Sequence, residues 1–218
     1  MTCIVGLKTS EAIYIGGDGR VSIGYHRILR DGSVKVFGRD GIVYGGMGSL
    51  RGCQVIQHAL ATPRYHPDDD PLEFASIKLT RAMRKALQEN NAMSQDRDGR
   101  EHMGVGFAVA FQDRLLEIDA WGCVLVPVTG ELALGCGEEF ALGSLEATRS
   151  SDLTPEQRIL HAIVAAERHS SGVGDSITLA VVPIGDDGDE IVMTTVGADP
   201  PRGEGEDEQP KPKGKKQE

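Results

Sequence analysis

Thr2 is a candidate nucleophile if Met1 is removed, because it would then carry a hydroxyl and a free α-amine on one residue. In such a pair the hydroxyl attacks and the amine acts as its base. An unperturbed α-amine has a pKa of about 7.7–8.0, so part of it is neutral near neutral pH, where a catalytic base works best. Many proteins begin with Met-Thr on a first strand without using it, so this hypothesis needs support from other residues of the chain.

The elements around Thr2 are predicted to be a pair of short strands. Apolar segments over Thr2–Gly6 and Glu11–Gly16 flank a polar turn, a pattern typical of a hairpin. Asp18 follows the second segment directly. The segment Ser33–Phe37, which contains Lys35, predicts another strand. An acid therefore directly follows the predicted strands that must position Thr2, and Lys35 belongs to a further predicted strand.

The remaining chain predicts more strands and two pairs of helices. The other predicted strands are Gly41–Gly45, Gly104–Phe111, Leu115–Ile118, Cys123–Val128, Glu131–Leu134, Ile177–Pro183 and Ile191–Val196, the last two joined by a turn at Asp186–Gly188. The predicted helices run from Ser49 to about Ala61, from Leu72 to about Asn90, from Glu138 to Ala147, and from an N-cap at Thr154 followed by Pro155.

This order of elements argues against a doubly wound parallel sheet, because alternating βαβ units are absent. Two sheets packed face to face, with a helix pair on each outer side, fit it better. From about Gly197 the composition becomes polar and rich in Gly, Pro, Glu and Lys. Such a segment cannot bury enough apolar surface to fold. We therefore predict one domain over residues 1–197 and a disordered tail over 198–218.

Composition excludes several classes of function. A net charge of -10 argues against a nucleic-acid binder, which would present a basic face. No stretch approaches the ~18 apolar residues of a membrane span, and no secretory signal is present. The four cysteines contain no CxxC pair and the six histidines no metal-binding pair, so no metal or cofactor is expected. We expect a soluble, cytoplasmic protein with reduced thiols.

Five short segments carry a resemblance to a known family. They are Thr2–Gly6, Gly17–Gly24, Lys35–Val36, Gly45–Ser49 and Ala133–Gly137. In this order they resemble the proteasome β-subunit family, and within it the HslV-type N-terminal-nucleophile peptidases, over residues Thr2 to Val196. The resemblance implies an α+β fold, the four-layer αββα sandwich of N-terminal-nucleophile hydrolases, and threonine peptidase activity.

The resemblance assigns the reacting group and its electrostatic partners. Thr2 matches the terminal nucleophile, Lys35 the lysine beside it, and Asp18 the acid that orients and charge-balances that lysine. One extra residue must be accommodated between Gly24 and Lys35. A buried ammonium beside the hydroxyl favours the alkoxide and depresses the pKa of the amine.

The resemblance also assigns substrate contacts. Gly48 matches the glycine whose N–H stabilises the tetrahedral oxyanion, and loss of such a donor typically costs about 10²–10³ in rate. Ser22 would hold the substrate backbone as an added strand. Val21, Gly46 and Leu50 would shape a small, apolar first pocket.

Three positions depart from the family pattern or compete with it. Cys136 stands where the family usually has a serine, and a thiol is a weaker hydrogen-bond partner for the terminal amine. Ser171 matches a helper serine, but aligning it puts Arg168 where the family has an aspartate. Cys3 is a rival nucleophile that would require cleavage after Thr2.

Two functions remain open. The first is a threonine endopeptidase that degrades unfolded polypeptides inside a homo-oligomeric double ring, fed by an ATP-dependent unfoldase. The second is a catalytically silent subunit that keeps the fold for assembly or partner binding. The presence of Thr2, Asp18, Lys35 and Gly48 favours the first, and the fate of Met1 discriminates between them.

Overall fold

The computed structural model describes residues 1–23, 26–28, 34–66, 68–185 and 190–197. Its strands are β1 (Cys3–Lys8), β2 (Ala12–Asp18), β3 (Val21–Ile23), β4 (His26–Ile28), β5 (Val36–Arg39), β6 (Ile42–Gly48), β7 (Ser94–Gln95), β8 (Glu101–His102), β9 (Val105–Phe111), β10 (Arg114–Ile118), β11 (Val124–Leu125), β12 (Glu131–Gly135), β13 (Ile177–Pro183) and β14 (Val192–Val196). Its helices are α1 (Leu50–Ala59), α2 (Pro71–Glu73), α3 (Thr80–Glu89), α4 (Glu138–Thr148) and α5 (Pro155–His169), with a π-helical segment, Phe74–Leu79, between α2 and α3. The predicted tail at 198–218 and the predicted turn at Asp186–Gly188 lie outside the described residues.

The strands form two five-stranded sheets, together with two small hairpins. The first sheet has the order β12-β1-β2-β13-β14 and the second has the order β11-β10-β9-β6-β5. Every ladder in both sheets is antiparallel. The predicted mixed α and β composition, without a doubly wound parallel sheet, is confirmed.

Strand β1 is apolar on both faces because both faces are covered. Successive side chains of a strand point to opposite sides. Ile4 therefore packs into a cluster shared with residues of the second sheet such as Val43, whereas Val5 packs into a cluster shared with Ile163 of α5. All of these side chains are essentially inaccessible to solvent. This burial on two sides holds the segment after Thr2 in a defined position.

Helix α5 begins where the sequence predicts. Thr154 accepts a hydrogen bond from the Gln157 backbone, Gln157 bonds back to the Thr154 N–H, and Pro155 occupies the first turn. Its predicted apolar stripe is buried and includes Ile159 and Ile163. The contact with the first sheet is close, since a Cβ at Gly16 would lie 2.4 Å from Ile159 Cγ2.

On its other face the second sheet packs against α1, the π-helical segment and α3. This cluster contains Tyr44 and Phe107 from the sheet, with Ile56 and Leu87 from the helices. The predicted helix from Leu72 to Asn90 is not continuous α-helix. The Thr80 N–H donates to the Ala75 carbonyl, five residues earlier, which marks the π-helical segment.

A partly buried ion cluster joins β12, the strand that leads to Cys136, with the helices α4 and α5. Glu131, at the start of β12, accepts hydrogen bonds from Arg149 at 2.6 Å and from Arg158 at 2.5 Å. Burial by itself raises the pKa of Glu131, but the bonds from Arg149 and Arg158 outweigh it and lower that pKa overall. The ionised carboxylate is therefore the form that the fold stabilises.

Candidate active site

The Asp18 carboxylate is the most fully bonded group near the amino terminus. It lies at the end of β2, where β13 pairs with it through Ile177, and its side chain is completely buried. Oδ1 accepts from the Cys3 N–H at 2.8 Å, while Oδ2 accepts from the backbone N–H groups of Gly174 at 3.1 Å and Arg20 at 3.2 Å. These three backbone donors hold the carboxylate in place without help from another side chain.

Lys35 makes the fourth contact of that carboxylate. Its ammonium lies 2.7 Å from Asp18 Oδ1, and its side chain is 9% exposed. Its own carbonyl accepts from the Gly46 N–H at 2.7 Å, which ties it to β6. The extra residue before Lys35 therefore does not prevent the ion pair that the sequence predicts, and a desolvated cation lies beside β1.

Thr2 and Lys35 meet at one oxygen atom. The Thr2 hydroxyl donates to the Met1 carbonyl at 2.7 Å, and the Lys35 ammonium donates to the same carbonyl at 3.2 Å. Thr2 is buried, whereas Met1 is 52% exposed and lies against Gly172. Removing Met1 would leave the hydroxyl and the ammonium facing the place that its carbonyl occupies.

Cys136 touches the Thr2 backbone from the other side. Its Sγ accepts from the Thr2 N–H at 3.4 Å and lies 3.5 Å from the Thr2 carbonyl oxygen. Gly135 permits this approach, because its φ is +96° and a Cβ there would lie 2.3 Å from that carbonyl oxygen. The sulfur belongs to an exposed residue and contacts the nitrogen that would become the α-amine.

The helper serine predicted at position 171 is not the serine that reaches Cys136. Ser170 Oγ lies 3.4 Å from Cys136 Sγ, whereas Ser171 uses its carbonyl to accept from the Arg20 guanidinium at 3.1 Å. Ser170 is the C-cap of α5, so the end of the helix decides which serine faces inward. Aligning Ser170 also places Glu167, an acid, three residues earlier.

Arg20 is not among the predicted site residues, but its contacts tie together the backbone around Asp18. Its guanidinium also lies 3.6 Å from the Asp175 carboxylate, and its backbone N–H donates to the Gly174 carbonyl at 2.9 Å. It therefore links the turn after Asp18 to the segment that comes after α5. The motif Gly-Asp-Gly-Arg is the sequence signal that could have pointed to it.

Cys3 is poorly suited to be the rival nucleophile. It is completely buried, and its N–H is committed to Asp18. Burial, and then the nearby Asp18 carboxylate, raise the pKa of Cys3 to about 12. Since the thiolate is the reactive form, this thiol is nearly inert near neutral pH.

The residues predicted to contact substrate lie in β3, in β6 and at the start of α1. Gly48 ends β6 with a φ of +96°, and a Cβ there would lie 2.5 Å from the Gly104 carbonyl oxygen. Gly46 faces Lys35 through their hydrogen bond, Leu50 is partly exposed at the start of α1, and Val21 starts β3. The backbone of Ser22 belongs to β3, and its side chain lies outside the described residues.

The arrangement suits base-assisted attack by a hydroxyl. It brings together Thr2, a buried cation, and a carboxylate that balances it. Within the described residues, no group of three or more His, Cys, Asp or Glu side chains is placed to hold a metal ion. None of the helices in that part of the chain is both long and apolar enough to cross a membrane.

No protein-family model matches the chain, but several solved structures are similar to it. Thiobacillus denitrificans BPH in complex with epoxomicin has a TM-score of 0.72 at 16% identity, covering 84% of this chain and 100% of that one. Eukaryotic HslV from Trypanosoma brucei has a TM-score of 0.60 at 22% identity, covering 83% and 99%. Anbu (ancestral β-subunit) from Yersinia bercovieri has a TM-score of 0.62 at 15% identity, covering 90% and 88%.

These neighbours share one fold. BPH and HslV have the N-terminal threonine hydrolase fold, and Anbu is a proteasome-like β-subunit. At such identities the likeness concerns the fold. The predicted resemblance to the proteasome β-subunit family is confirmed at that level.

Proposed function

From this proteasome-like fold, we propose that the chain is a threonine endopeptidase subunit whose nucleophile is Thr2 after Met1 is removed. The supporting observation is the meeting of the Thr2 hydroxyl and the Lys35 ammonium on the Met1 carbonyl. Because both groups donate to the same oxygen atom, the Lys35 ammonium lies close enough to the Thr2 hydroxyl to stabilise the alkoxide that forms there. The alternative, a silent subunit, corresponds to a chain that retains Met1.

In the proposed reaction the α-amine of Thr2 takes the hydroxyl proton while the oxygen attacks the substrate carbonyl. Lys35 stabilises the developing alkoxide, and Asp18 holds Lys35 in place. The N–H of Gly48 stabilises the tetrahedral oxyanion. Collapse expels the amine of the cleaved bond, which takes the proton from the Thr2 ammonium, and leaves an ester on Thr2 that water hydrolyses.

Substrate recognition is proposed to use the strands beside Thr2. An extended polypeptide would lie along the backbone of Ser22 as an added strand. Val21, Gly46 and Leu50 would line the first pocket. Since the resemblance implies a small, apolar first pocket, small apolar side chains should fit there.

The proposal includes a four-layer αββα order and a homo-oligomeric double ring in the cytoplasm. Three separate apolar clusters support the layer order: one between the helices α4 and α5 and the first sheet, one between the sheets, and one under α1 and α3. β11 is an edge strand, and apolar side chains in it and just after it are exposed, including Leu125 and Val128. This exposed apolar surface supports association with further copies of the chain. The four free thiols suit a reducing compartment. Unfolded polypeptides and an ATP-dependent unfoldase are the proposed partners.

Intact mass and peptide hydrolysis test the proposal together. Purified chain should have lost Met1 and should cleave short unstructured peptides. Thr2→Ala should reduce cleavage to background, because it removes the nucleophile, while Thr2→Ser should retain measurable activity through its hydroxyl. Epoxomicin, found bound to the Thiobacillus denitrificans protein, should inhibit the processed chain.

Electron microscopy of the same samples controls for assembly. Thr2→Ala should form particles of the parent size, so that lost activity is not lost assembly. Full activity in Thr2→Ala would refute the assignment. A parent chain that retains Met1 and cleaves nothing would support the silent subunit.

A further inference from the structure

Cys136 combines three properties that give its sulfur a chemistry beyond a hydrogen bond to the Thr2 amine. It is exposed, its sulfur is 3.4 Å from the Thr2 nitrogen, and it lies 3.4 Å from the Ser170 hydroxyl. The thiol is therefore open to a small solute while in contact with a nitrogen that becomes a primary amine when Met1 is removed. Pairing of β1 with a strand on each side keeps that nitrogen in place.

We propose that Cys136 is a redox modification site at which a peroxide converts the thiol into a sulfenamide with the Thr2 α-amine. This inference rests on the proposed function only in requiring a free Thr2 amine. The resulting Sγ–N bond would remove the base from Thr2 and switch the site off. A serine at position 136 could not form this bond, so the modification depends on the cysteine that this chain has there.

The chemistry proceeds in two balanced steps. The Cys136 thiolate attacks one peroxide oxygen, the O–O bond breaks, and a sulfenic acid forms while the other oxygen leaves as water. The Thr2 amine then attacks sulfur, so that an S–N bond forms, the S–O bond breaks, and hydroxide leaves with one amine proton as water. Sulfenic acids are known to condense with nitrogen in this way. The two-electron oxidation of sulfur is matched by reduction of one peroxide.

The surroundings favour the second step. The Thr2 carbonyl is held by the Gly137 N–H at 3.4 Å, and the next N–H, of Cys3, is held by Asp18 at 2.8 Å. The nitrogen therefore stays against the sulfur when Met1 is absent. The Ser170 hydroxyl lies where it can hydrogen-bond the oxygen that leaves.

The other thiols are less suited to compete. Burial raises the pKa of Cys3 to about 12 and that of Cys53 to about 11, so both remain protonated near neutral pH. Cys123 is exposed, but the charge of Asp119, followed by other causes, raises the pKa of its thiol as well. Cys136 is exposed and contacts the Thr2 nitrogen, so the reaction should select it.

A thiol would reverse the modification. It attacks Cys136 Sγ, the S–N bond breaks, and the Thr2 amine leaves with the thiol proton. A second thiol then reduces the mixed disulfide. Peptidase activity should return when the Thr2 amine is free again.

The test uses full-length chain produced from a removable amino-terminal fusion that leaves Thr2 first, in a Cys123→Ser background. Cys123 directly precedes β11, the edge strand of the second sheet, and its backbone and its thiol both bond Asp119, so this change should leave basal activity unaltered. After stoichiometric hydrogen peroxide, intact mass should fall by about 2 Da, since two hydrogens are lost. An amine-reactive label should no longer modify Thr2. Dithiothreitol should restore both signals.

Activity is measured on the same samples. In the fraction that has lost mass, peptide hydrolysis should fall by at least about 100-fold, because base catalysis contributes roughly 10²–10⁴. Cys136→Ser should show no mass loss. Cys3→Ala should still show it, which separates the S–N bond from a Cys3–Cys136 disulfide. Chain that retains Met1 should gain only oxygen, in steps of about 16 Da.

The outcomes separate this inference from the proposed function. Processed chain that is inactive before peroxide but loses mass at Cys136 would refute the peptidase and support the modification. Active chain that gains only oxygen at Cys136 would refute the modification and leave the peptidase intact. Disappearance of the mass loss in Cys3→Ala would assign it to a disulfide and overturn the inference.

Discussion

The two sides of Thr2 are built from different kinds of contact. On one side a buried carboxylate receives four donors, including the Lys35 ammonium at 2.7 Å. On the other an exposed sulfur makes contacts of 3.4–3.5 Å to Thr2 and 3.4 Å to Ser170. Charge-assisted hydrogen bonds are short and strong, whereas a thiol is a weak donor and a weak acceptor.

Because of this difference, the ionic contacts must stay fixed, whereas the contacts of the sulfur can vary. A buried ammonium is tolerated only with a partner of opposite charge, so replacing Asp18 or Lys35 alone would leave a buried charge unpaired. The sulfur side carries no charge that requires compensation. It is therefore the side where a substitution, or a reversible chemical change, costs the fold little.

The largest effect is expected for Asp18→Ala. The change leaves the Lys35 ammonium buried without its carboxylate, and it removes the acceptor of the Cys3 and Gly174 N–H groups. Breaking such a pair on one side typically costs about 3–5 kcal/mol. We expect a large drop in the free energy of unfolding and no measurable peptidase activity.

Asp18→Asn is the matched control for that change. It keeps one acceptor oxygen but removes the charge, so it should be more stable than Asp18→Ala and still nearly inactive. Denaturant titration and peptide hydrolysis measure the two effects separately. Equal stability of Asp18→Ala and the parent would show that the ionic side is not the rigid one.

Lys35 should come next, with an effect mainly on activity. Lys35→Ala should lower kcat by roughly 100-fold or more, because a cation fixed beside the developing Thr2 alkoxide is worth about that much. Lys35→Arg should also fail, since the planar guanidinium does not replace a compact ammonium 2.7 Å from Asp18. Turnover of Lys35→Ala at the parent rate would mean that another cation performs this role.

Glu131→Gln tests how much stability comes from the ion cluster at the start of β12, the strand that leads to Cys136. The carboxylate bonds Arg149 and Arg158, and its loss should cost about 1.5–3 kcal/mol of stability. Because the pKa of Glu131 is lowered in the folded state, this stabilisation is present above the unfolded pKa of about 4.3 and is lost as pH falls through the folded value.

The Tm difference between parent and Glu131→Gln should therefore be full at neutral pH and shrink below about pH 4. Glu146→Gln is the matched control, because Glu146 also pairs with Arg149 but is 70% exposed. A surface pair of this kind contributes little. A Tm difference that grows in acid would contradict the direction of the pKa shift.

The smallest effect is expected for Cys136→Ser. A hydroxyl is a stronger hydrogen-bond partner for the Thr2 amine than a thiol, so peptide hydrolysis should be kept or raised. Intact mass must show that Met1 is removed as in the parent. Loss of all activity in a normally processed Cys136→Ser variant would favour a thiol mechanism and invert the contrast between the two sides.

Several features are determined by local sequence alone. The capping box at Thr154 and Gln157 sets the start of α5, and the apolar runs set β1 and β2, because the groups involved are neighbours along the chain. The ion pair of Asp18 and Lys35 could be expected from the family resemblance, although an inserted residue separates the motifs. These features depend on residue type and spacing, which the sequence states directly.

Other features were decided by tertiary structure. Which serine faces Cys136 depends on where α5 ends against the first sheet, and that selects Ser170 over its neighbour. The role of Arg20 depends on the segment after α5 folding back across the turn at Asp18. The inertness of Cys3 and the exposure of Cys136 depend on how the layers pack, because Cys3 lies within β1 opposite Gly135, whereas Cys136 lies in the turn that follows Gly135. Residue type determines what a group can do chemically, but burial and contacts between distant segments determine which groups can do it.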